Sequence, residues 1–226
     1  MKPRRKLARG DVDVGEVVRN AVLFNFKNRD ADIVNVDSLF GDVERLFTVL
    51  QERGADYLLV GGVAMLRYVE GRNTEDVDLI FAVSDLAKLP ELEVEDQDAD
   101  FVRGRFGGLR VDLLLTRNPL FDEVMRRYAT IGRFVQRDIP CATVEGLLVL
   151  KLYALPSLYR QGDFARVGLY ENDIATLLHA YRPPLEPLLA ELEDHLSLTD
   201  LAAVGDIVAD IRRRIERFEG GPEDPG

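Results

Sequence analysis

Asp76-Val77-Asp78 opens an apolar run, Val77 to Val83, whose β-rich composition predicts a strand. Alternate residues of a strand share a face, so Asp76 and Asp78 point the same way, about 6.5 to 7 Å apart along the chain. Val77 and Leu79 face the other way. Two parallel carboxylates on a rigid strand repel each other unless a cation sits between them. Such hard oxygen donors suit Mg²⁺ or Mn²⁺ rather than zinc. A third acid, Asp112, interrupts the apolar strand Leu109-Arg110-Val111-Asp112-Leu113-Leu114. Three carboxylates on two neighbouring strands can hold two ions about 3.5 to 4 Å apart, the geometry of in-line phosphoryl or nucleotidyl transfer. Upstream, Gly61-Gly62 separates the short apolar run Tyr57 to Val60 from a helical stretch, Val63 to Val69. Glycines between strand and helix let backbone N–H groups approach a phosphate, and the helix N-terminus adds favourable partial charge. Each feature alone is weak, because a Gly-Gly is most often a turn and an Asp-x-Asp most often solvated. Their combination with Asp112 is specific.

The elements that must position these residues follow from periodicity. Asp37 or Ser38 caps a helix to about Arg53, with Leu39, Val43, Leu46, Phe47 and Leu50 at helical spacing and Gly54 ending it. Leu92 and Val94, then Phe101 and Arg103, alternate like strands of a meander, and Gly107-Gly108 marks a hairpin into Leu109 to Leu115. Pro119 to Tyr128 reads as a helix and Ile131 to Ile139 as one edge strand. After Thr143 the pattern becomes helical: Thr143 to Leu155, Asp173 to Tyr181, Leu185 to His195 and Leu198 to Phe218, with Pro183-Pro184 as a break. Strand runs without regular helical crossovers predict an α+β fold with a mixed β-sheet flanked by helices.

The chain has 226 residues and a formal net charge of −11. One domain plus a helical annex is the expected size class. Cys141 is the sole cysteine, which excludes an intrachain disulfide, and with His179 and His195 it makes a poor zinc set. No apolar run approaches the roughly 20 residues that span a bilayer. The basic start, Met1 to Gly10, lacks the apolar segment of a secretory signal, so the cytoplasm is the expected compartment. An acidic protein gains little from phosphate neutralisation, which argues against non-specific DNA binding. A local basic patch still suits RNA: Lys2, Arg4, Arg5, Lys6 and Arg9 form one, and Arg126, Arg127, Arg133 and Arg137 another. The acidic run from Glu91 to Asp100 reads as a solvated face.

Gly61-Gly62, thirteen residues, and Asp76-Val77-Asp78 together resemble the signature of the nucleotidyltransferase superfamily with the polymerase-β-like core, and Asp112 resembles its third metal carboxylate. Arg72, Thr74 and the run into Leu79-Ile80 resemble the minimal-nucleotidyltransferase toxins of type IV abortive-infection systems, which include relatives that add nucleotides to tRNA acceptor ends. The resemblance covers roughly residues 39–178. It implies Mg²⁺-dependent transfer of a nucleoside monophosphate from NTP to a hydroxyl, with Asp76, Asp78 and Asp112 as metal ligands and Asp112 also helping to deprotonate the attacking hydroxyl. It implies NTP contacts from Gly61, Gly62 and Arg72, an RNA acceptor and a cognate antitoxin; Thr74, two residues before Asp76, either hydrogen-bonds a phosphate as well or finishes the turn. The toxin-like branch also has a helix lysine and a later aspartate. Lys151 is the matching cation of the apolar helix, reaching the triphosphate or else lying on the solvent face. Asp173 is the matching acid, at the opening of its helix, where it also reads as an N-cap. The relatives' Lys-Asp pair just before that aspartate is here Leu169-Tyr170-Glu171-Asn172, with Arg166 as a substitute charge. The implied organisation is an N-terminal arm (1–36), a nucleotidyltransferase core (37–142), a helical C-terminal subdomain (143–219) and a disordered tail (220–226).

Two other readings use the same residues: transfer to a small molecule or a protein side chain, and a nucleotide-binding module of the same fold without turnover. Ser157 and Ser197 lack histidine and acid partners at triad spacing, there is no Walker A sequence, and Cys141 reads as structural.

Overall fold

The computed structural model describes residues 36–69, 74, 76–134 and 137–219. Most of the arm, residues 1–35, and the tail, residues 220–226, lie outside the described residues, as does Arg72. Helix α1 (Val36–Glu52) leads into β1 (Tyr57–Val60), the short α2 (Gly61–Met65) and β2 (Asp76–Phe81). A 3-10 turn (Val83–Lys88) precedes β3 (Glu93–Gln97), β4 (Phe101–Phe106) and β5 (Leu109–Leu115). Then come α3 (Pro119–Arg127), β6 (Ala129–Phe134), β7 (Arg137–Ala142) and four helices: α4 (Val144–Gln161), α5 (Phe164–Tyr181), α6 (Glu186–Leu192) and α7 (Leu198–Glu219).

The strands form one seven-stranded sheet in the order β3-β4-β5-β2-β1-β7-β6. β2 with β5 and β1 with β7 are parallel, while the other neighbours are antiparallel. The α+β class with a mixed sheet and flanking helices is therefore the observed one. Both halves of the chain contribute to one apolar core, from Val43, Leu46, Phe47 and Leu50 of α1 through Leu79, Ile80 and Phe81 of β2 to Leu152, Leu177 and Ile211. Each such side chain contributes about 1.5–3 kcal/mol by leaving water, so the helices of the C-terminal third are held by burial against the sheet and one another. Among the described residues no helix is long and apolar enough to cross a membrane.

Several expected elements differ. The strand expected to reach Val83 stops at Phe81, and the 3-10 turn begins at Val83. The single edge strand expected over 131–139 is two antiparallel strands, β6 and β7, paired from Ala129↔Ala142 to Phe134↔Arg137. The helix opened by Thr143, whose side chain accepts from the Gly146 N–H, does not end at Leu155. It runs through Pro156 to Gln161 and stops at Gly162 in the left-handed conformation. A proline inside a helix forfeits one backbone hydrogen bond, and burial of Leu152, Leu155, Pro156 and Leu158 offsets that loss. The helix expected to start at Asp173 starts at Phe164, because Asp163 caps it by accepting from the Arg166 N–H at 3.1 Å.

Candidate active site

The carboxylates meet through strand register. β2 and β5 run parallel with Asp76 opposite Arg110 and Asp78 opposite Asp112. Cross-strand partners share a sheet face, so Asp76, Asp78 and Asp112 gather on one face while Val77, Leu79, Val111 and Leu113 are buried on the other. The alternation in the sequence is thus the alternation of the strand: half-buried acids against fully buried apolar residues.

The glycine pair serves this cluster. Gly61 adopts φ +61, a conformation that favours glycine. A Cβ built there would fall inside the carboxylate of Asp78. Gly62 donates its backbone N–H to Asp78 Oδ2 at 3.2 Å. The helix α2 begins at the glycines themselves rather than at Val63, and this N–H meets a carboxylate.

Burial and proximity set the electrostatics. Asp78 is pushed up to about 6, first by burial, then by the charge of Asp112; the Gly62 N–H works against the rise, Asp76 adds to it, and Lys151 opposes it. Asp112 is raised by burial and then by Asp76, against the charges of Arg103, Arg110 and Arg166. Asp76 Oδ1 is shielded from solvent and accepts no hydrogen bond, with Arg110 Nε 3.3 Å away. Among the described residues no three acidic, histidine or cysteine side chains already close on one metal position. The donor set nevertheless fits a hard divalent cation: three carboxylates on one face, of which Asp78 and Asp112 have raised proton affinity and Asp76 carries a buried oxygen with no hydrogen bond.

Lys151 sits on neither a solvent face nor an apolar rim. It is 4% exposed and pairs with Asp173, 2% exposed, at 2.8 Å, and its ammonium lies 4.3 Å from the Tyr170 ring centroid. Asp173 is not an N-cap, because it lies in the middle of α5 facing α4. A buried pair of this kind costs most when one partner is removed. Lys151→Met is expected to destabilise the fold by about 3 kcal/mol, and Lys151→Met/Asp173→Leu to recover most of that in urea denaturation. Equal losses in the single and double variants would show that the two charges do not depend on each other.

The other expected residues divide. The Thr74 hydroxyl donates to the Asp76 carbonyl at 3.2 Å and so finishes the turn into β2. Arg166 is exposed in the first turn of α5 and lowers the proton affinity of Asp112. Of the second basic stretch, Arg126 pairs with Asp122 and Arg127 with Glu123 and Glu191. Cys141 is buried, which raises its thiol to about 11, consistent with a packing role. Arg110 and Arg103 were not singled out by the sequence. The available signal was period two: Arg110 is two residues before Asp112 and therefore shares its face.

No protein-family model matches this chain, and no curated protein matches it. Solved structures do. An antigenic nucleotidyltransferase-like protein from Paracoccidioides brasiliensis is 22% identical with a TM-score of 0.52, over 80% of this chain and 93% of that one. The antibiotic-resistance factor ANT(2'')-Ia in solution is 14% identical with a TM-score of 0.44, over 80% of this chain and 96% of that one. ANT(2'')-Ia in complex with adenylyl-2''-tobramycin is 14% identical with a TM-score of 0.43, over 76% of this chain and 95% of that one. The fold is nucleotidyltransferase-like, by the first of these.

Proposed function

We propose that the chain is a divalent-metal-dependent nucleotidyltransferase that moves a nucleoside monophosphate from NTP to a hydroxyl acceptor. The observation that carries the reading is the register of Asp78 with Asp112, with Asp76 on the same face and the Gly61-Gly62 turn against Asp78. Asp76, Asp78 and Asp112 would hold Mg²⁺ or Mn²⁺, which neutralises phosphate charge when bound. The acceptor oxygen bonds to the α-phosphorus, the bond from that phosphorus to the bridging oxygen breaks, and pyrophosphate leaves. Asp112, whose proton affinity is raised, takes the hydroxyl proton. Lys151, held by Asp173, supplies positive charge towards the triphosphate, and Gly61, Gly62 and Thr74 line the NTP side; an NTP contact from Arg72, which lies outside the described residues, rests on the sequence motif alone. We assign 37–142 to the catalytic core and 143–219 to the helical subdomain that completes the cleft.

For the acceptor we propose RNA of tRNA type, with the protein acting in the cytoplasm as a toxin restrained by an antitoxin. The five cations of the first ten residues support this. A second reading, transfer to a small molecule, is favoured by the ion-paired state of Arg126 and Arg127, which leaves that stretch less able to grip a phosphate backbone.

The test incubates full-length protein with Mg²⁺, each labelled NTP in turn, and total RNA. Label enters RNA with the wild type, and neither Asp76→Ala nor EDTA-treated wild type transfers it. Pyrophosphate release without labelled RNA would move the assignment to a small acceptor. Nucleotide binding with no pyrophosphate from any NTP would leave a binding module, and an active Asp76→Ala protein would remove the mechanism.

A further inference from the structure

Arg110 stands directly across the parallel ladder from Asp76 and two residues before Asp112, on the face that gathers the three carboxylates. Its Nε lies 3.3 Å from Asp76 Oδ1, the buried oxygen that accepts no hydrogen bond. The guanidinium therefore supplies charge to that oxygen without a directed bond, and little is lost when it leaves. The Arg110 side chain is 53% exposed against 28% for Asp76, so it has open solvent to move into.

The flanking arginines are committed elsewhere. Arg105, opposite Arg110 on β4, donates to Glu95 at 2.8 Å. Arg103, opposite Asp112, pairs with Asp96 at 2.7 Å and lies 3.7 Å from Asp98. Both are drawn to the acidic strand β3 and its end, and the like charge of Arg105 across the ladder disfavours Arg110 leaning that way.

We propose that Arg110 is a cation latch on the metal site: it occupies Asp76 until a divalent cation displaces it, and the released guanidinium then contacts the phosphate oxygens of the incoming nucleotide. The inference rests on the metal-dependent reading above and adds a nucleotide-contacting residue to it. The latch makes metal binding weaker in the bare protein than the three carboxylates alone would allow, and it makes metal and anionic substrate bind more readily together. An ordered metal-and-nucleotide site is favoured over one that scavenges free metal.

The experiment titrates Mn²⁺ into full-length protein by electron paramagnetic resonance, without nucleotide. Arg110→Gln is expected to bind Mn²⁺ about fivefold more tightly than wild type, the scale of a partly exposed ion pair. Arg110→Lys keeps the charge and stays near wild type. Arg105→Gln, whose partner is Glu95, changes nothing. In an Asp76→Asn background, adding Arg110→Gln gives no further change. With nucleotide present, Arg110→Gln raises KM for NTP several-fold and leaves kcat nearly unaltered. Mn²⁺ binding by Arg110→Gln that equals or falls below wild type overturns the latch while the metal site stands. No Mn²⁺ binding by any variant, wild type included, overturns the metal reading and the latch with it.

Discussion

Asp78→Asn is expected to stabilise the metal-free protein at pH 7 and to abolish its nucleotidyl transfer. Both effects come from the same crowding. Asp78 is held at about 6, from an ordinary 3.8, by burial and by Asp112. A carboxyl whose folded value lies above its unfolded one binds protons more readily in the folded state. Its contribution to stability is whole below about pH 4 and is lost as pH rises through about 6. The rise corresponds to about 3 kcal/mol at neutral pH. Asn has the same shape and keeps an oxygen to accept from the Gly62 N–H, so it removes the repulsion without leaving that donor unpaired. A gain of about 1–3 kcal/mol, several degrees in Tm for a chain of this size, is expected at pH 7 and should vanish near pH 4. Mg²⁺ should raise the Tm of the wild type and not that of the variant, because only the wild type keeps the full donor set. Transfer should fall by at least about 10³-fold, the scale of losing a major electrostatic contribution to the transition state. A variant no more stable than wild type at pH 7 would mean that these carboxylates are not in conflict, and the case for a cation between them would fall.

The shared face of Asp76 and Asp78 was legible because a strand's period is two and Val77 and Leu79 had to be buried. That Asp112 lies opposite Asp78 was legible only as chemistry. An acid inside an apolar strand asks for a role, but the pairing of β2 with β5 crosses the whole β3–β4 hairpin, and no local signal encodes it. The misread segments have local causes. Gly162, Gly168 and Pro156 lower helix propensity around Phe164, so the start of α5 was hidden and Asp173 read as a cap. Tertiary burial overrode that propensity. Its consequence, the Lys151–Asp173 pair, joins two helices and has no signature in either one. The β6–β7 hairpin lacks a glycine or asparagine turn signal between Phe134 and Arg137, so its two strands merged into one alternating run. The sequence marks Gly61-Gly62 as a close-approach turn, but the group that its N–H approaches, Asp78, is brought there only by the pairing of β1 with β2.

Gly61→Ala should therefore damage the site more than any exposed glycine change damages the fold. At φ +61 a side chain costs about 1–2 kcal/mol in backbone conformation alone. Gly54→Ala isolates that cost: it too has positive φ, at +58, and nothing lies within 4 Å of its added Cβ. At Gly61 the Cβ would land in the Asp78 carboxylate and 2.6 Å from the Asp78 Cβ. Turning the carboxylate to another rotamer leaves the Cβ contact unrelieved, so the backbone of β1 or β2 has to give. The register Val60↔Asp78 fixes both strands at that point, which makes the shift expensive. We expect Gly61→Ala to lose about 3–5 kcal/mol in urea denaturation against about 1 kcal/mol for Gly54→Ala. Pyrophosphate release should fall by at least about 10²-fold, since an ångström of misplacement in a catalytic group has that effect. Gly54→Ala should keep full activity. Adding Asp78→Gly removes the three atoms nearest the new methyl, so measured against Asp78→Gly alone most of the excess over Gly54→Ala should disappear from stability while activity stays lost. A Gly61→Ala protein that destabilises no more than Gly54→Ala, or that keeps activity within tenfold, would show that Gly61 does not set the position of Asp78. The turn would then be only a turn, and the glycine pair would drop out of the site.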